Sequence, residues 1–301
     1  MTRRRGEQET DRRVSVSARP AISSSRNLPI PLVTLLTDFG TADYFVAAMK
    51  GSLLSICPAA RIVDITHEIP AQDIEAAAFT LLGVYKSFPA RTIHLAVVDP
   101  GVGSSRRAIL VETGSQIFIG PDNGIFSYIY EREPGFKVIK LADQTKSGHA
   151  ISATFHGRDL FAPLAAQVAN GIMPVDSGGE IDNPVTLTSL APAKLKSGTV
   201  KARIIHIDRF GNCITNLTRD YLTPRMIKAG AQLAVNGHTI KSFRTFFAEE
   251  DKAELFAIWG SAGFLELAAQ NRSAAKILKA RRGQSVTLRD VVDTKRFNRA
   301  Q

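Results

Sequence analysis

The chain is poor in groups that hold metals or disulfides. It has two cysteines in 301 residues, Cys57 and Cys213, and no His-x-x-x-His or Cys-x-x-Cys pair. Neither a zinc site nor a disulfide framework is expected, and two unpaired thiols suit a reducing, cytoplasmic setting. No apolar run approaches the ~18 residues of a membrane-spanning helix, so no membrane partner is expected. Charge imbalance is also missing from the middle of the chain. Residues 1–27 carry seven arginines against three acidic residues, and residues 276–301 carry eight lysines and arginines against two. The stretch between them balances to zero, although the whole chain is +10. The basicity belongs to the ends, which argues against a dedicated nucleic-acid site. The opening MTRRRGEQETDRRVSVSARPAISSSRN has no apolar core, so residues 1–27 read as a disordered basic tail and not as a secretory signal. Residues 291–301 read as a second basic tail.

What is present is strand–helix alternation. Leu32–Leu36 is a short apolar run, followed by a turn, TDFGTAD, in which Thr41 or Asp43 can cap a helix. Phe45, Met49 and Leu53 then share one helical face. RIVDITHEIP reads as strand and turn, residues 74–88 as a second helix with Ile74, Ala78, Leu81, Leu82 and Tyr85 inward, and TIHLAVVD as a strand ending at Asp99. AILVET and QIFIGPDNG add strands, and RDLFAPLAAQVANG a helix stopped by Gly171. This order predicts an α/β N-terminal domain, residues 28–183, with a mostly parallel central sheet. Residues 184–199 read as a linker. Short strands then recur to residue 290, with a hairpin at Asn236-Gly237, which predicts a smaller all-β, barrel-like C-terminal domain over 200–290.

Ligands in open α/β sheets sit at the carboxyl ends of strands. Asp38 and Asp99 fall there, each before a glycine-bearing turn where backbone can approach a ligand. The same residues could instead bond their own turns. Arg106 and Arg107 follow Asp99 closely, and an arginine keeps a buried carboxylate ionised. His156, in ATFHGRDLFAP, lies between a β-like segment and a helix and could serve as a general base, with Asp159 as a plausible helix cap. His67 shares the ambiguity between structure and chemistry. In the second domain, IDRFGNCITN places Asp208, Asn212 and Asn216 around a turn, and GSAGFLELAAQN brings Ser261 and Glu266. Amides and carboxylates of this kind suit a purine edge or an amino-acid zwitterion, or plain turn chemistry.

Taken in order, TLLTDFGTADYFVAAMKG, IVDITHEIPAQDIEAAAFTL, VVDPGVGSSRR, GPDNGIFS, TFHGRDLFAP, IDRFGNCITN and GFLELAAQN resemble the S-adenosylmethionine hydrolase family, also called SAM hydroxide adenosyltransferases, relatives of the fluorinase and chlorinase. The resemblance covers roughly residues 32–290. It implies an Asp99–Arg106–His156 set directing water or hydroxide at the 5′ carbon of S-adenosylmethionine, with Arg106 preferred over Arg107 because it is the first arginine after the glycine turn. It further implies Asp38 on the ribose diol, Asp208 and Ser261 at the methionine end, Asn212 at adenine, and Glu266 near the ligand. Adenosine and L-methionine are the implied products. No cofactor is implied, since S-adenosylmethionine is the substrate, and no metal. The resemblance also implies a homotrimer with sites at subunit interfaces.

Three alternatives share parts of this pattern. A halogenase lacks the Asp-Pro-Gly-Val-Gly turn with its arginine, and Asp99 would repel a halide. A noncatalytic S-adenosylmethionine or adenosine binder has no need of Asp99, Arg106 and His156 together. A metal phosphoesterase could be built from Asp38, Asp99, His156 and Asp159, and its activity would vanish with chelator. The charge map gives a first testable outcome. Deletion of residues 1–27 should leave turnover and thermal stability near the parental values, and a large loss of either would show that the segment packs or takes part in chemistry.

Overall fold

A computed structural model describes residues 30–141, 151–173, 175–195, 199–249 and 253–289. The expected tails at 1–27 and 291–301 lie outside the described residues. Strands β1 (Leu32–Thr37), β2 (Arg61–Thr66), β3 (Ile93–Val97), β4 (Ala108–Glu112), β5 (Ile117–Pro121), β6 (Lys137–Leu141) and β7 (Val175–Glu180) form one sheet in the order β2-β1-β3-β5-β4-β6-β7. Strands β2, β1, β3 and β5 are parallel, and the β4, β6 and β7 pairings are antiparallel, so five of the seven strands run the same way.

Alternation across β1 and β3 explains the layering, because successive side chains point to opposite faces. Val33, Leu35, Ile93, Leu95 and Val97 pack with α1 (Phe45–Ile56) and, further along the chain, the helix Ala162–Ala169. Leu36, Ala96 and Val98 pack on the other face with α2 (Ile74–Val84) and α3 (Ser127–Arg132). Covered on both sides, β3 is buried at all five positions, which is why it reads as an apolar run interrupted only by His94.

The expected α1 face is present: Met49 and Leu53 are buried and Phe45 packs against the same cluster. Its cap differs. Tyr44 is the N-cap and makes no side-chain cap bond, so neither Thr41 nor Asp43 caps it. The second helix ends at Val84 and tightens into a 3-10 turn over Tyr85–Ser87. It is apolar nearly all round because it is buried twice: Ala76, Ala77 and Leu81 meet the sheet, while Ala78 and Phe79 meet Ile205, Ile214 and Phe264 of the C-terminal half.

Residues 184–195 run along the first domain. The Val185 N–H donates to Asp122, that of Leu187 to Ser127 and that of Leu190 to Glu131. Strands β8 (Ala193–Lys194), β9 (Val200–Ile207), β10 (Cys213–Thr215), β11 (Gln232–Val235), β12 (His238–Ile240), β13 (Ser242–Arg244), β14 (Leu255–Trp259), β15 (Leu265–Ala269) and β16 (Ser285–Arg289) form the second, barrel-like sheet. The β11–β12 hairpin turns through Asn236 and Gly237, both at positive φ, as a two-residue loop requires. Among the described residues no helix is long and apolar enough to cross a membrane.

One core residue makes a pH prediction. His94 on β3 is fully buried, shares a 2.8 Å hydrogen bond with the Thr34 hydroxyl and stacks 5.0 Å from Phe118. Burial pushes its imidazole down to about 4, against a smaller opposing effect of Gln116. The folded value is depressed, so the unfolded chain binds a proton that the native chain refuses. Stability is full above the unfolded value of about 6.5 and falls by roughly 1.4 kcal/mol per pH unit below it until the folded value is reached. Denaturant titrations at pH 7, 6 and 5 should show this decline, and His94→Phe, whatever its stability at pH 7, should lose about one proton's worth of the slope.

Candidate active site

β3 stops at Val97, two residues short of Asp99, and the chain then turns twice. The Val102 N–H donates to the Asp99 carbonyl at 3.2 Å and the Ser104 N–H to that of Gly101 at 3.1 Å. Gly103 has φ +78 and lies so close to Ala153 that a Cβ would stand 2.5 Å from its carbonyl oxygen. Only glycine fits there, and the fit presses the turn against the segment that carries His156. The turn returns Arg106 to Asp99. Arg106 Nε donates to both carboxylate oxygens, at 2.8 and 2.9 Å, and Nη2 also bonds Oδ2. The side chains are only 10% and 5% exposed. Arg107 points elsewhere: its Nε donates to Asp122 at 2.7 Å and its other nitrogens to Asn183.

His156 comes from the opposite side of the cleft. It N-caps a π-helical turn, Gly157–Phe161, that leads into α4 (Ala162–Ala169). Asp159 does not cap this helix. Its carboxylate accepts from the Ser152 N–H at 2.9 Å and pairs with Arg158. Such widened turns recur at functional sites. Here the Arg158 carbonyl accepts from the Ser52 hydroxyl at 2.8 Å, and Gly157 packs on Met49, Phe39 and Phe155. His156 Nδ1 lies 2.8 Å from Arg106 Nη2. A guanidinium has only donors, so Nδ1 accepts and the proton of the neutral imidazole is on Nε2. Burial, with the Arg106 charge second, lowers the His156 pKa against the weaker pull of Asp99 and Asp159. Arg106 also lies 5.0 Å from the Phe161 ring centroid, a cation–π contact that leaves the guanidinium little freedom.

A cavity of about 390 Å³ opens over this cluster, lined by Asp38, Asp99 and His156 and walled by Phe39, Phe45 and Phe155. The three rings pack against one another at 5.2 to 6.0 Å between centroids. A second cavity, of about 640 Å³, borders Arg106 and His156. Asp38 follows β1, and its Oδ2 accepts from the Gln72 N–H at 2.8 Å. Gln72 also lines the first cavity and sits at φ +64. Sequence reasoning missed Gln72 altogether and took Phe45 for a plain core position. The only cue to Gln72 was the Pro-Ala-Gln-Asp turn ahead of α2. His67 does not line this cavity, and its ring bonds Thr37.

Of the four C-terminal candidates, Asp208 and Asn212 stand in the turn after β9, Ser261 in the turn after β14 and Glu266 on β15. Asp208 Oδ1 accepts from the N–H groups of Phe210 and Asn212 and Oδ2 from the Asn212 amide at 2.9 Å, so the pair closes its own turn. Asn212 is buried and Ser261 exposed. Glu266, opposite Ile214 on β10, packs against Gly260; burial and then the Asp208 charge raise its pKa. None of these four lines the first cavity.

A mostly parallel sheet with an arginine-bridged carboxylate and imidazole beyond the carboxyl end of β3, joined to a β-barrel-like domain, defines a two-domain α/β–β protein with a polar, aromatic-walled cavity. The chain belongs to the SAM hydroxide adenosyltransferase family: the family's N-terminal domain matches residues 33–178 and its C-terminal domain residues 202–287. It is 37% identical over 265 residues to the (R)-S-adenosyl-L-methionine hydrolase of Methanocaldococcus jannaschii, covering 83% of this chain and 92% of that protein. It is 36% identical to the enzyme of the same name from Thermus thermophilus, covering 85% and 98%. The fluorinase of an Actinoplanes species is more distant, at 26% over 230 residues, with 67% of this chain and 77% of that protein covered. A crystal structure of an uncharacterized conserved protein from Thermotoga maritima superposes with a TM-score of 0.77 at 30% identity, over 85% of this chain and 99% of that one.

The cluster predicts its own titration. Nuclear magnetic resonance should find His156 titrating below the ordinary imidazole value of about 6.5. Arg106→Ala removes the neighbouring cation and leaves the Asp99 carboxylate, so the His156 pKa should rise. A fall, or no change, would contradict the 2.8 Å contact.

Proposed function

We propose that the protein hydrolyses S-adenosyl-L-methionine to adenosine and L-methionine by in-line attack of water at C5′, with Asp99, Arg106 and His156 as its catalytic residues. The observation that carries this reading is the buried Arg106 fork on Asp99 with His156 on the same guanidinium. Sulfur leaves with the C5′–S bonding pair as a neutral thioether, so no general acid is needed. The water oxygen forms the new C5′–O bond and must shed one proton. His156 Nε2 bears hydrogen in this geometry and can hold the water oxygen as a donor. Asp99 keeps lone pairs beyond those facing Arg106, so it is the acceptor for the water proton. Holding one water in line with the breaking bond is worth up to ~7–11 kcal/mol, and the guanidinium stabilises hydroxide character as it develops.

Asp38 is assigned to the ribose hydroxyls, Asp208 and Ser261 to the methionine end, Asn212 to adenine, and Glu266 to the rim. Because Asp208, Asn212, Ser261 and Glu266 do not line the N-terminal cavity, we infer that a neighbouring subunit completes each site, in a homotrimer. S-adenosylmethionine is the substrate, with no cofactor and no metal: Asp99 and Asp159 are already committed to arginines, which compete with a cation. The two free, buried cysteines suit a cytoplasmic location. Residues 28–183 and 200–290 are the proposed domains, with 184–199 between them.

The chemistry is checked with labelled water, where the label should enter the 5′ hydroxyl of adenosine with inversion at C5′. Label in methionine, or retention, would falsify the mechanism. Asp99→Ala and His156→Ala should lower turnover far more than they weaken binding. Asp38→Ala should raise KM by ~100-fold or more, since hydrogen bonds to a charged group are worth roughly 1.5–3 kcal/mol each.

A further inference from the structure

The turn that presents Asp38 is fastened by buried polar groups that touch neither cavity. Thr37 ends β1 and is fully buried; His67 follows β2 and is 5% exposed. Thr37 Oγ1 and His67 Nδ1 are 2.8 Å apart, and Thr37 Oγ1 also accepts from the Phe39 N–H at 3.3 Å. The His67 carbonyl accepts from the Gly40 N–H at 2.8 Å. His67 therefore holds the Asp38–Gly40 turn from both sides, once through its ring and once through its backbone.

The directions of these bonds form a consistent chain. His67 Nε2 lies 3.2 Å from Asp64 Oδ1, poorly aligned for a full hydrogen bond but with no better partner among the described residues. A carboxylate there places the imidazole hydrogen on Nε2, and Lys50 Nζ, 2.6 Å from Asp64 Oδ2, holds that carboxylate in place. Nδ1 then accepts from the Thr37 hydroxyl, whose oxygen accepts from Phe39. An apolar pair of similar volume would fill the space without needing partners. What the polar pair adds is direction: it fixes the backbone on each side of Asp38, and the Gln72 N–H fixes the carboxylate itself.

We propose that Thr37 and His67 are positioning residues that set the Asp38 carboxylate for two adjacent hydroxyls, through the Thr37–His67 bond and the paired grips on Phe39 and Gly40. The inference rests on the assignment of Asp38 to the ribose. Thr37→Val keeps the shape and removes only the hydroxyl, and Thr37→Ser restores it. Thr37→Val should raise KM for S-adenosylmethionine about tenfold with kcat within about twofold, while Thr37→Ser stays near parental in both. In an Asp38→Ala background Thr37→Val should raise KM no further, because coupled residues are not additive. Parental KM for Thr37→Val beside a raised KM for Asp38→Ala overturns the inference and leaves the ribose assignment standing. An equal rise in both backgrounds overturns it by showing that the hydroxyl acts elsewhere. Parental KM for Asp38→Ala removes the ribose assignment and the inference together. Should Thr37→Val fail to fold, Asp64→Asn on the half-exposed end of the chain should raise KM about threefold, and a parental KM there overturns the proposal.

Discussion

The site depends on one buried ion pair, the Arg106 fork on Asp99. Taking two charges out of water is costly, and the pair is stable only if its geometry is good and its remaining hydrogens find partners. The fold supplies each condition. The Asp-Pro-Gly-Val-Gly turn reverses the chain within seven residues, so donor and acceptor come from one loop. Asn123 donates to the Val98 carbonyl at 2.8 Å and holds the strand end that launches the turn. Phe161 covers the guanidinium and His156 takes a further N–H. Removing Asp99 would leave Arg106 buried without its carboxylate, so Asp99 has a structural role beside the chemical one proposed for it.

The same economy of contacts joins the two sheets. The α2 helix has one face in the first core and the other against β9, β10 and Phe264. Around it, Glu75 accepts from Arg203 at 3.0 Å and from the Tyr128 hydroxyl at 3.0 Å, and Phe79 stacks 5.2 Å from His206. This apolar centre with a rim of charge fixes the C-terminal sheet against the first domain.

How much was legible in the sequence follows from what each signal depends on. The parallel strands showed as apolar runs because both faces of the sheet are covered, and the β-rich second half showed through its short strands and Asn-Gly turn. Asp38 and Asp99 stood out because strand-end carboxylates before glycine turns are local patterns, whereas the preference for Arg106 over Arg107 came from the family resemblance. The Asp159 cap was misread because a π-helical turn shifts the helix start to His156, and a hydrogen-bond register of that kind leaves no compositional trace. Gln72 and the Thr37–His67 bond were invisible because they join segments about 30 residues apart, and no periodicity encodes such a pairing. That Asp208 and Asn212 do not line the first cavity depends on how the two sheets are placed, which no local pattern encodes.

In the proposed reaction the ion pair also bears on which nucleophile the site would accept. A free guanidinium in a buried pocket is a cation that an anion such as a halide would fill. Here the charge is cancelled by Asp99 at hydrogen-bond distance, so the pocket offers directed N–H donors and carboxylate lone pairs with little net positive potential. A halide can only accept hydrogen bonds, so it would be repelled by the Asp99 carboxylate and could make no use of its lone pairs. A water molecule has both an oxygen to accept and a proton to donate. The low His156 pKa works the same way, because a neutral imidazole adds a donor without adding an anion site. The pairing that makes the site stable to fold is thus the pairing that suits it to a neutral nucleophile, which accords with the greater similarity of this chain to the hydrolases than to the fluorinases.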